Sequence, residues 1–154
     1  MDAPMKALRE RGWLLPPPDQ VGYVVHSLDR AIEVYEPIFG PFTRMETSLE
    51  GPVYRGRPAD CKLLIAFGSM SDSLEIELIE PAGGLSPHAE FLAAGHEGIH
   101  HVRFRIDDLA EHIETGRRFG YHPIWEHHMD VADFAYLEHE TQKGVLLELL
   151  RMDV

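Results

Sequence analysis

The same order of secondary-structure elements is predicted twice along the chain, and the second copy begins about 80 residues after the first. Apolar periodicity predicts a strand, a helix and three further strands in each half. In the first half these elements cover residues 20–27, 28–39, 42–47, 61–67 and 74–80. In the second half they cover residues 100–106, 109–119, 123–127, 133–138 and 145–150. The chain is therefore predicted to consist of two βαβββ modules.

Matching residues at equivalent places support this repeat. Gln20 in the first strand of the first copy corresponds to His101 in the second copy. Glu77 in the last strand corresponds to Glu148 if the second copy lacks about ten residues between its helix and its last strand. Two such modules side by side form one curled mixed sheet around a shared cavity. We predict an α+β fold of this kind.

Chain length and proline content suggest the boundaries. The 154 residues suffice for one domain, which we place at residues 19–151. Within it, module 1 takes residues 19–81, a linker takes 82–97, and module 2 takes 98–151. Residues 1–18 form a lead-in that ends in three consecutive prolines. Because prolines fix the backbone and donate no hydrogen bonds, we expect this lead-in to be extended.

Charge and composition exclude several kinds of partner. The 26 Asp and Glu residues outnumber the 14 Lys and Arg residues, and a net charge of −12 repels nucleic acid. The single Cys61 cannot form an intrachain disulfide, and the charged N-terminus does not resemble a signal peptide. No apolar run approaches the roughly 18 residues of a membrane span. We predict a cytoplasmic protein that acts on a small molecule and has no nucleic-acid or membrane partner.

The repeat singles out four polar residues as a candidate metal site. Gln20 and His101 lie near the start of the first strand of each module, and Glu77 and Glu148 lie in the last strand of each. Because side chains alternate along a strand, equivalent positions can direct all four toward one centre. An amide oxygen, an imidazole and two carboxylates suit a divalent ion such as zinc, nickel, cobalt, manganese or magnesium.

The same strand carries two candidate substrate-binding residues. His101, Arg103 and Arg105 alternate with apolar residues, so both arginines share the face of His101. They could bind a substrate carboxylate or phosphate through paired hydrogen bonds. Alternatively, an arginine pairs with an inward acid such as Glu75 or reaches solvent at the rim. By the same alternation, His100 is expected to face away from His101.

Several stretches carry a family resemblance that covers residues 19–151. They read IELIEP at 76–81, EFL at 90–92, GIHHV at 98–102 and GVLLEL at 144–149. In residue identity and spacing they resemble the vicinal oxygen chelate (glyoxalase/bleomycin resistance/dioxygenase) superfamily, and most of all its methylmalonyl-CoA epimerase branch. The resemblance implies that the same four polar residues bind the metal, that the substrate is anionic or a thioester, and that the protein is a homodimer.

Two positions depart from the epimerase pattern. Epimerases of this branch have His where this chain has Gln20, and the resulting set of donors resembles that of eukaryotic glyoxalase I. The loop at 54–60 has arginines where the branch places a second acid–base carboxylate, for which Asp60 is a candidate substitute. An extradiol dioxygenase is disfavoured because its iron site needs two histidines and one carboxylate, and residue 20 is not a histidine.

The chemistry that this site favours is proton transfer at a carbon next to a carbonyl. A metal that binds the carbonyl oxygen stabilises the enolate, and a nearby carboxylate moves the proton. Glu148 is the predicted base, with Glu77 as its counterpart. We predict an epimerase or isomerase that acts on a small acyl thioester, with methylmalonyl-CoA as the specific candidate. The alternatives are a glyoxalase I-like lactoylglutathione lyase and a non-catalytic protein that binds a small molecule such as an antibiotic.

Overall fold

The computed structural model describes residues 2–153. Its helices are α1 (Ala3–Glu10), α2 (Leu28–Phe39), α3 (Pro87–Ala93) and α4 (Leu109–Arg118). Its strands are β1 (Gln20–Val24), β2 (Thr43–Leu49), β3 (Val53–Tyr54), β4 (Arg57–Pro58), β5 (Cys61–Ser71), β6 (Leu74–Gly84), β7 (Gly98–Arg105), β8 (Tyr121–His128), β9 (Ala132–His139) and β10 (Leu146–Met152). None of the helices described combines the length and the hydropathy that a membrane span requires.

All ten of these strands form one mixed sheet in the order β2-β5-β6-β1-β7-β10-β9-β8-β3-β4. The two modules meet at its centre, where β1 and β7 run antiparallel. Within each module the first strand runs parallel to the last, β1 beside β6 and β7 beside β10. The predicted α+β fold, with two βαβββ modules in one curled sheet around a cavity, is confirmed.

The two longer helices begin at equivalent points of the two modules, and each has a side-chain cap. The Ser27 hydroxyl accepts a 3.2 Å hydrogen bond from the backbone N–H of Arg30, at the start of α2. The Asp108 carboxylate accepts a 3.1 Å hydrogen bond from the backbone N–H of Glu111, at the start of α4. Such caps satisfy backbone donors that the first helical turn leaves unpaired.

The two faces of the sheet have different neighbours. On one face, α2 buries Leu28 against Leu78 of β6, and α4 buries Leu109 against Leu149 of β10. Residues of the opposite parity, among them Ile79, point to the concave face and form a third apolar cluster. Because side chains alternate along each strand, the polar residues that share the parity of Ile79 also face the concave side.

A hairpin made of β3 and β4 accounts for the length difference between the modules. It lies between β2 and β5 of module 1, yet β3 pairs with β8, the outer strand of module 2. At its tip, Arg55 forms ion pairs with Glu90 of α3 at 2.6 Å and with Glu138 of β9 at 3.3 Å. The extra residues of module 1 thus reach across the cavity and attach to module 2.

The prediction that residues 1–18 are extended throughout is wrong, because residues 3–10 form α1. The helix follows Asp2, whose carboxylate accepts a 3.0 Å hydrogen bond from the backbone N–H of Met5. Residues 3–10 are mostly good helix formers, and a proline in the first turn is tolerated. Beyond α1, the Trp13 ring stacks on Phe119, and its N–H donates a 3.1 Å hydrogen bond to His112 of α4.

Candidate metal centre

The four predicted donors lie in two neighbouring cross-strand rows at the centre of the sheet. In one row, Gln20 of β1 pairs with Arg103 of β7, which pairs in turn with Glu148 of β10. In the next row, Glu77 of β6 and His101 of β7 lie on either side of β1. The strand pairing therefore brings a donor from each of four strands to one place on the concave face.

The side chains are close together and buried. Nε2 of His101 lies 3.3 Å from a carboxylate oxygen of Glu77 and 3.4 Å from one of Glu148. Relative exposure is 1% for Gln20, 0% for His101, 9% for Glu77 and 7% for Glu148. Two atoms of the set, Oε1 of Gln20 and Nε2 of His101, have no hydrogen-bond partner.

These features fit a bound cation. An unpaired buried polar atom costs about 1–3 kcal/mol, and coordination would satisfy both Oε1 of Gln20 and Nε2 of His101. Burial raises the pKa of Glu148 to about 7, and the Glu77 carboxylate adds to the rise, while His101 and Arg103 oppose it. A dication would offset the repulsion between the two buried carboxylates.

Gly22 of β1 provides the space for the imidazole, a role that the sequence analysis did not assign. A Cβ atom at this position would lie 2.0 Å from Cε1 and 2.2 Å from Nε2 of His101. A side chain at residue 22 is therefore incompatible with the observed ring position. A glycine within a strand, two residues after a candidate ligand, was the available signal, because such glycines often mark a close approach.

The expectation that His100 faces away from His101 is wrong. Their Nδ1 atoms lie 3.0 Å apart, and both rings are buried. His88 of α3 completes a cluster of three histidines, each with one nitrogen within 4.8 Å of the others. Burial, reinforced by the neighbouring rings, holds the pKa of His88 and of His100 well below the ordinary value, so both are neutral.

His101 is thus shared by two candidate donor sets. The histidine cluster would surround a dication with neutral rings, whereas the set on the Nε2 side includes the carboxylates of Glu77 and Glu148. Because a buried ion needs compensating charge, the carboxylate-containing set is the better candidate for a metal site. His88 is also engaged elsewhere, since its Nε2 lies 3.0 Å from the hydroxyl of Tyr136.

The two arginines occupy different environments. Arg103 forms a two-pronged hydrogen bond with Asp19, at 2.9 and 3.2 Å, and also lies 3.9 Å from Glu75. Glu75 in turn accepts a 2.8 Å hydrogen bond from the amide of Gln20. Arg105 is exposed. Arg103 is therefore paired with acidic residues, which was the alternative to substrate binding in the sequence analysis. Contact of either arginine with a substrate stays a prediction.

A cavity of about 170 Å³ adjoins the two carboxylates. Its walls are mostly apolar, with Leu63 and Ile79 from module 1 and Trp125 and Phe134 from module 2. Asp60 is not among its lining residues. The Asp60 carboxylate instead accepts a 2.8 Å hydrogen bond from the backbone N–H of Gly51, at the base of the β3–β4 hairpin. The cavity therefore combines two carboxylates with mostly apolar walls.

Fold and site together define a class of protein in which paired βαβββ modules present buried oxygen and nitrogen donors at the centre of a shared sheet. Members of the class are commonly metal-dependent enzymes. The chain belongs to the Glyoxalase/Bleomycin resistance protein/Dioxygenase superfamily, which it matches over residues 19–136. The resemblance to the vicinal oxygen chelate superfamily is thereby confirmed.

Individual relatives are distant. The chain is 27% identical to the uncharacterized protein YqjC of Bacillus subtilis (strain 168), over 85% of this chain and 89% of that one. Methylmalonyl-CoA epimerase from Mycobacterium tuberculosis is 21% identical, with a TM-score of 0.60 and coverage of 94% and 92%. A Streptomyces coelicolor methylmalonyl-CoA epimerase variant bound to 2-nitronate-propionyl-CoA is 20% identical, with a TM-score of 0.63 and coverage of 92% and 97%. At 20–21% identity, the likeness to the two epimerase structures shows that the fold is shared and no more.

Replacement of Gly22 by alanine should disrupt the candidate site. The new methyl group would overlap the His101 ring, so we expect Gly22→Ala to weaken zinc binding on the order of 100-fold, as measured by competition with a chelator. Gly144→Ala is the control, because a Cβ there meets nothing within 4 Å. Parental affinity in Gly22→Ala would show that His101 does not bind zinc from its observed position.

The buried Glu148 carboxyl should make stability depend on pH in protein freed of metal by a chelator. Its pKa in the folded state, about 7, exceeds the ordinary 4.5, so ionisation destabilises the fold as pH rises through that interval. We expect Glu148→Gln to raise the unfolding free energy at pH 8 by about 3 kcal/mol, and to change it little at pH 5, in urea titrations. The control is Glu33→Gln, since Glu33 is exposed and its replacement should have little effect at either pH. An equal effect of Glu148→Gln at pH 5 and pH 8 would contradict the raised pKa of Glu148.

Proposed function

We propose that this protein is a metal-dependent isomerase or epimerase that moves a proton on the carbon next to a carbonyl. One observation carries the proposal: buried donors from Gln20, Glu77, His101 and Glu148 converge beside an apolar-walled cavity, and two of their atoms have no hydrogen-bond partner. The donor types are compatible with one divalent ion of zinc, nickel, cobalt, manganese or magnesium.

The residues of the chain have complementary tasks in this reaction. When bound, the ion supplies a Lewis acid for the carbonyl oxygen. Glu148 takes the proton from carbon, because its carboxylate lines the cavity in which the substrate would lie. Glu77 occupies the equivalent strand of the other module and donates a proton of its own to the opposite face, while Glu148 keeps the proton that it took. A substrate bound against the apolar walls would displace water, which strengthens the electrostatic interactions in the cavity.

A 2-carboxyacyl thioester is the substrate class that we favour, with methylmalonyl-CoA as the specific candidate. The lining residues of the cavity include no Lys or Arg, and Asp19 engages Arg103. A substrate carboxylate in the cavity would therefore depend on the metal for its countercharge. A compound with both a carboxylate and a thioester oxygen can provide two oxygens to one ion. The resemblance of residues 76–81 and 98–102 to the epimerase branch supports the same choice.

A glyoxalase I-like lactoylglutathione lyase is the second candidate, and Gln20 favours it. This residue is buried with Oε1 unpaired, and glutamine is the residue found at this position in the eukaryotic glyoxalase I set. The same base would then move a proton between adjacent carbons of a hemithioacetal. The two candidates share the metal and the proton transfer, and differ in the substrate.

Metal analysis tests the site itself. We expect protein purified without chelator to contain about one divalent ion per chain, because the four candidate donors are enough for one tetrahedral site. Gln20→Ala and Glu148→Ala should each lower that content strongly, as measured by inductively coupled plasma mass spectrometry. If the parent protein lacks metal and takes up none from added zinc, nickel, cobalt or manganese, the enzyme proposal fails. A protein that binds a small molecule without catalysis would then be favoured.

Turnover separates the two enzymatic candidates. We expect methylmalonyl-CoA to exchange its α-proton with deuterated water in the presence of the metal-loaded protein, as followed by proton NMR. Glu148→Gln should lower the exchange rate at least about 100-fold, because the amide cannot accept the proton. Retention of more than a few per cent of activity would contradict the role of Glu148 as base. Turnover of methylglyoxal plus glutathione, without exchange of methylmalonyl-CoA, would favour the lyase.

A further inference from the structure

We infer that His100 is a positioning residue, which holds a proton on Nδ1 of His101 and so leaves the Nε2 lone pair directed at the metal site. The inference rests on the proposed metal centre. It concerns how the chain selects one of the two neutral forms of the ligand imidazole, in which either Nδ1 or Nε2 carries the proton.

An irregularity in strand pairing brings His100 beside His101. Gly22 of β1 pairs with His101, but the next residue, Tyr23, pairs with Ile99, so His100 is an extra residue on β7. Such β-bulges redirect a side chain away from its alternating direction. Here the result is a contact of 3.0 Å between the two Nδ1 atoms, from neighbouring residues that regular alternation would place on opposite faces.

The proton positions follow from the partners of His100. A 3.0 Å contact between two ring nitrogens needs a proton on one and a lone pair on the other. His100 also forms a hydrogen bond with the backbone of Pro87, which has no N–H and can only accept. In a neutral imidazole with Nε2 as the donor to the Pro87 carbonyl, Nδ1 has the lone pair. Nδ1 of His100 therefore accepts, and Nδ1 of His101 donates.

The opposite nitrogen of His101 has the complementary surroundings. Nε2 has no hydrogen-bond partner and lies within 3.4 Å of carboxylate oxygens of both Glu77 and Glu148. A lone pair directed at two carboxylates is repulsive unless a cation lies between them. The Nδ1-protonated form of His101 is thus the one suited to metal coordination, and ligand histidines commonly donate their other N–H in this way.

Helix α3 holds His100 in place. Pro87 is buried at the start of the helix, where the Ser86 hydroxyl accepts a 3.2 Å hydrogen bond from the backbone N–H of Ala89. The ring of Phe91 lies edge-on to His100, with 4.9 Å between the ring centroids. The segment predicted as a linker between the modules therefore supplies both the carbonyl and the packing that orient the ligand imidazole.

Nitrogen NMR of the parent protein tests the inference directly. In protein labelled with ¹⁵N-histidine, we expect His101 to carry a proton on Nδ1, and His100 to carry one only on Nε2, before and after zinc is added. An unprotonated Nδ1 in His101 would overturn the role of His100 whether or not zinc binds. If the parent protein takes up no zinc, the metal centre itself fails, and the role of His100 fails with it. The two failures are therefore distinguishable.

Two substitutions of His100 separate positioning from packing. Asparagine can present its oxygen near the place of Nδ1, whereas leucine fills the apolar surroundings but cannot accept a hydrogen bond. We expect His100→Leu to weaken zinc and cobalt binding by about 10- to 100-fold, and His100→Asn to weaken it by only a few-fold. Chelator competition and the visible spectrum of bound cobalt provide readouts independent of activity, with circular dichroism as the check of folding.

A purely structural role predicts the reverse order. Asparagine leaves a larger void than leucine beside Phe91 and places a polar amide there. If packing alone mattered, His100→Asn would therefore bind metal more weakly than His100→Leu. Equal metal affinity in His100→Leu and the parent protein, or weaker binding in His100→Asn than in His100→Leu, would overturn the proposal.

Discussion

The antiparallel pairing of β1 with β7 is the contact on which the rest of the molecule depends. It joins the two modules into one sheet, and its register places Gln20 opposite Arg103 and Gly22 opposite His101. Parallel pairing with β6 and β10 then adds the two glutamates from the outer sides. Because side chains alternate along a strand, a slip of one residue would turn the donors of the displaced strand toward the helix-covered face. The central register therefore determines both the cohesion of the fold and the composition of the site.

Two of the candidate ligands, the amide of Gln20 and the imidazole of His101, can each present either an N–H or a lone pair, and neighbouring residues decide which. The amide of Gln20 donates to Glu75, so its oxygen faces the centre, and Asp19 and Glu75 share Arg103. On the other side, the bulge at β7 brings His100 against His101. In each case a neighbour engages the N–H group and leaves the lone pair of the ligand free. Arg103 thus engages two acidic residues next to Gln20.

The near-symmetry of the modules ends at the cavity walls. Module 1 supplies a hairpin with no counterpart in module 2, and this hairpin pairs with β8 across the cavity. Arg55 at its tip connects α3 and β9 through Glu90 and Glu138. Glu77 and Glu148 therefore hold equivalent places in the repeat but have different surroundings. The proposed reaction, with one proton acceptor and one donor, would use such a difference.

The two-module fold and the choice of four candidate donors were accessible from the sequence, because periodicity and internal repetition are local or pairwise properties of the chain. Equivalence in the repeat was enough to select Gln20, Glu77, His101 and Glu148. Other features depended on contacts between segments distant in the chain. Regular alternation predicts opposite faces for His100 and His101, and only the pairing of β7 with β1 introduces the bulge that brings them together. The partner of Arg103, the space above Gly22 and the attachment of the hairpin to β8 were likewise decided by tertiary structure, since each depends on the register and curvature of the assembled sheet.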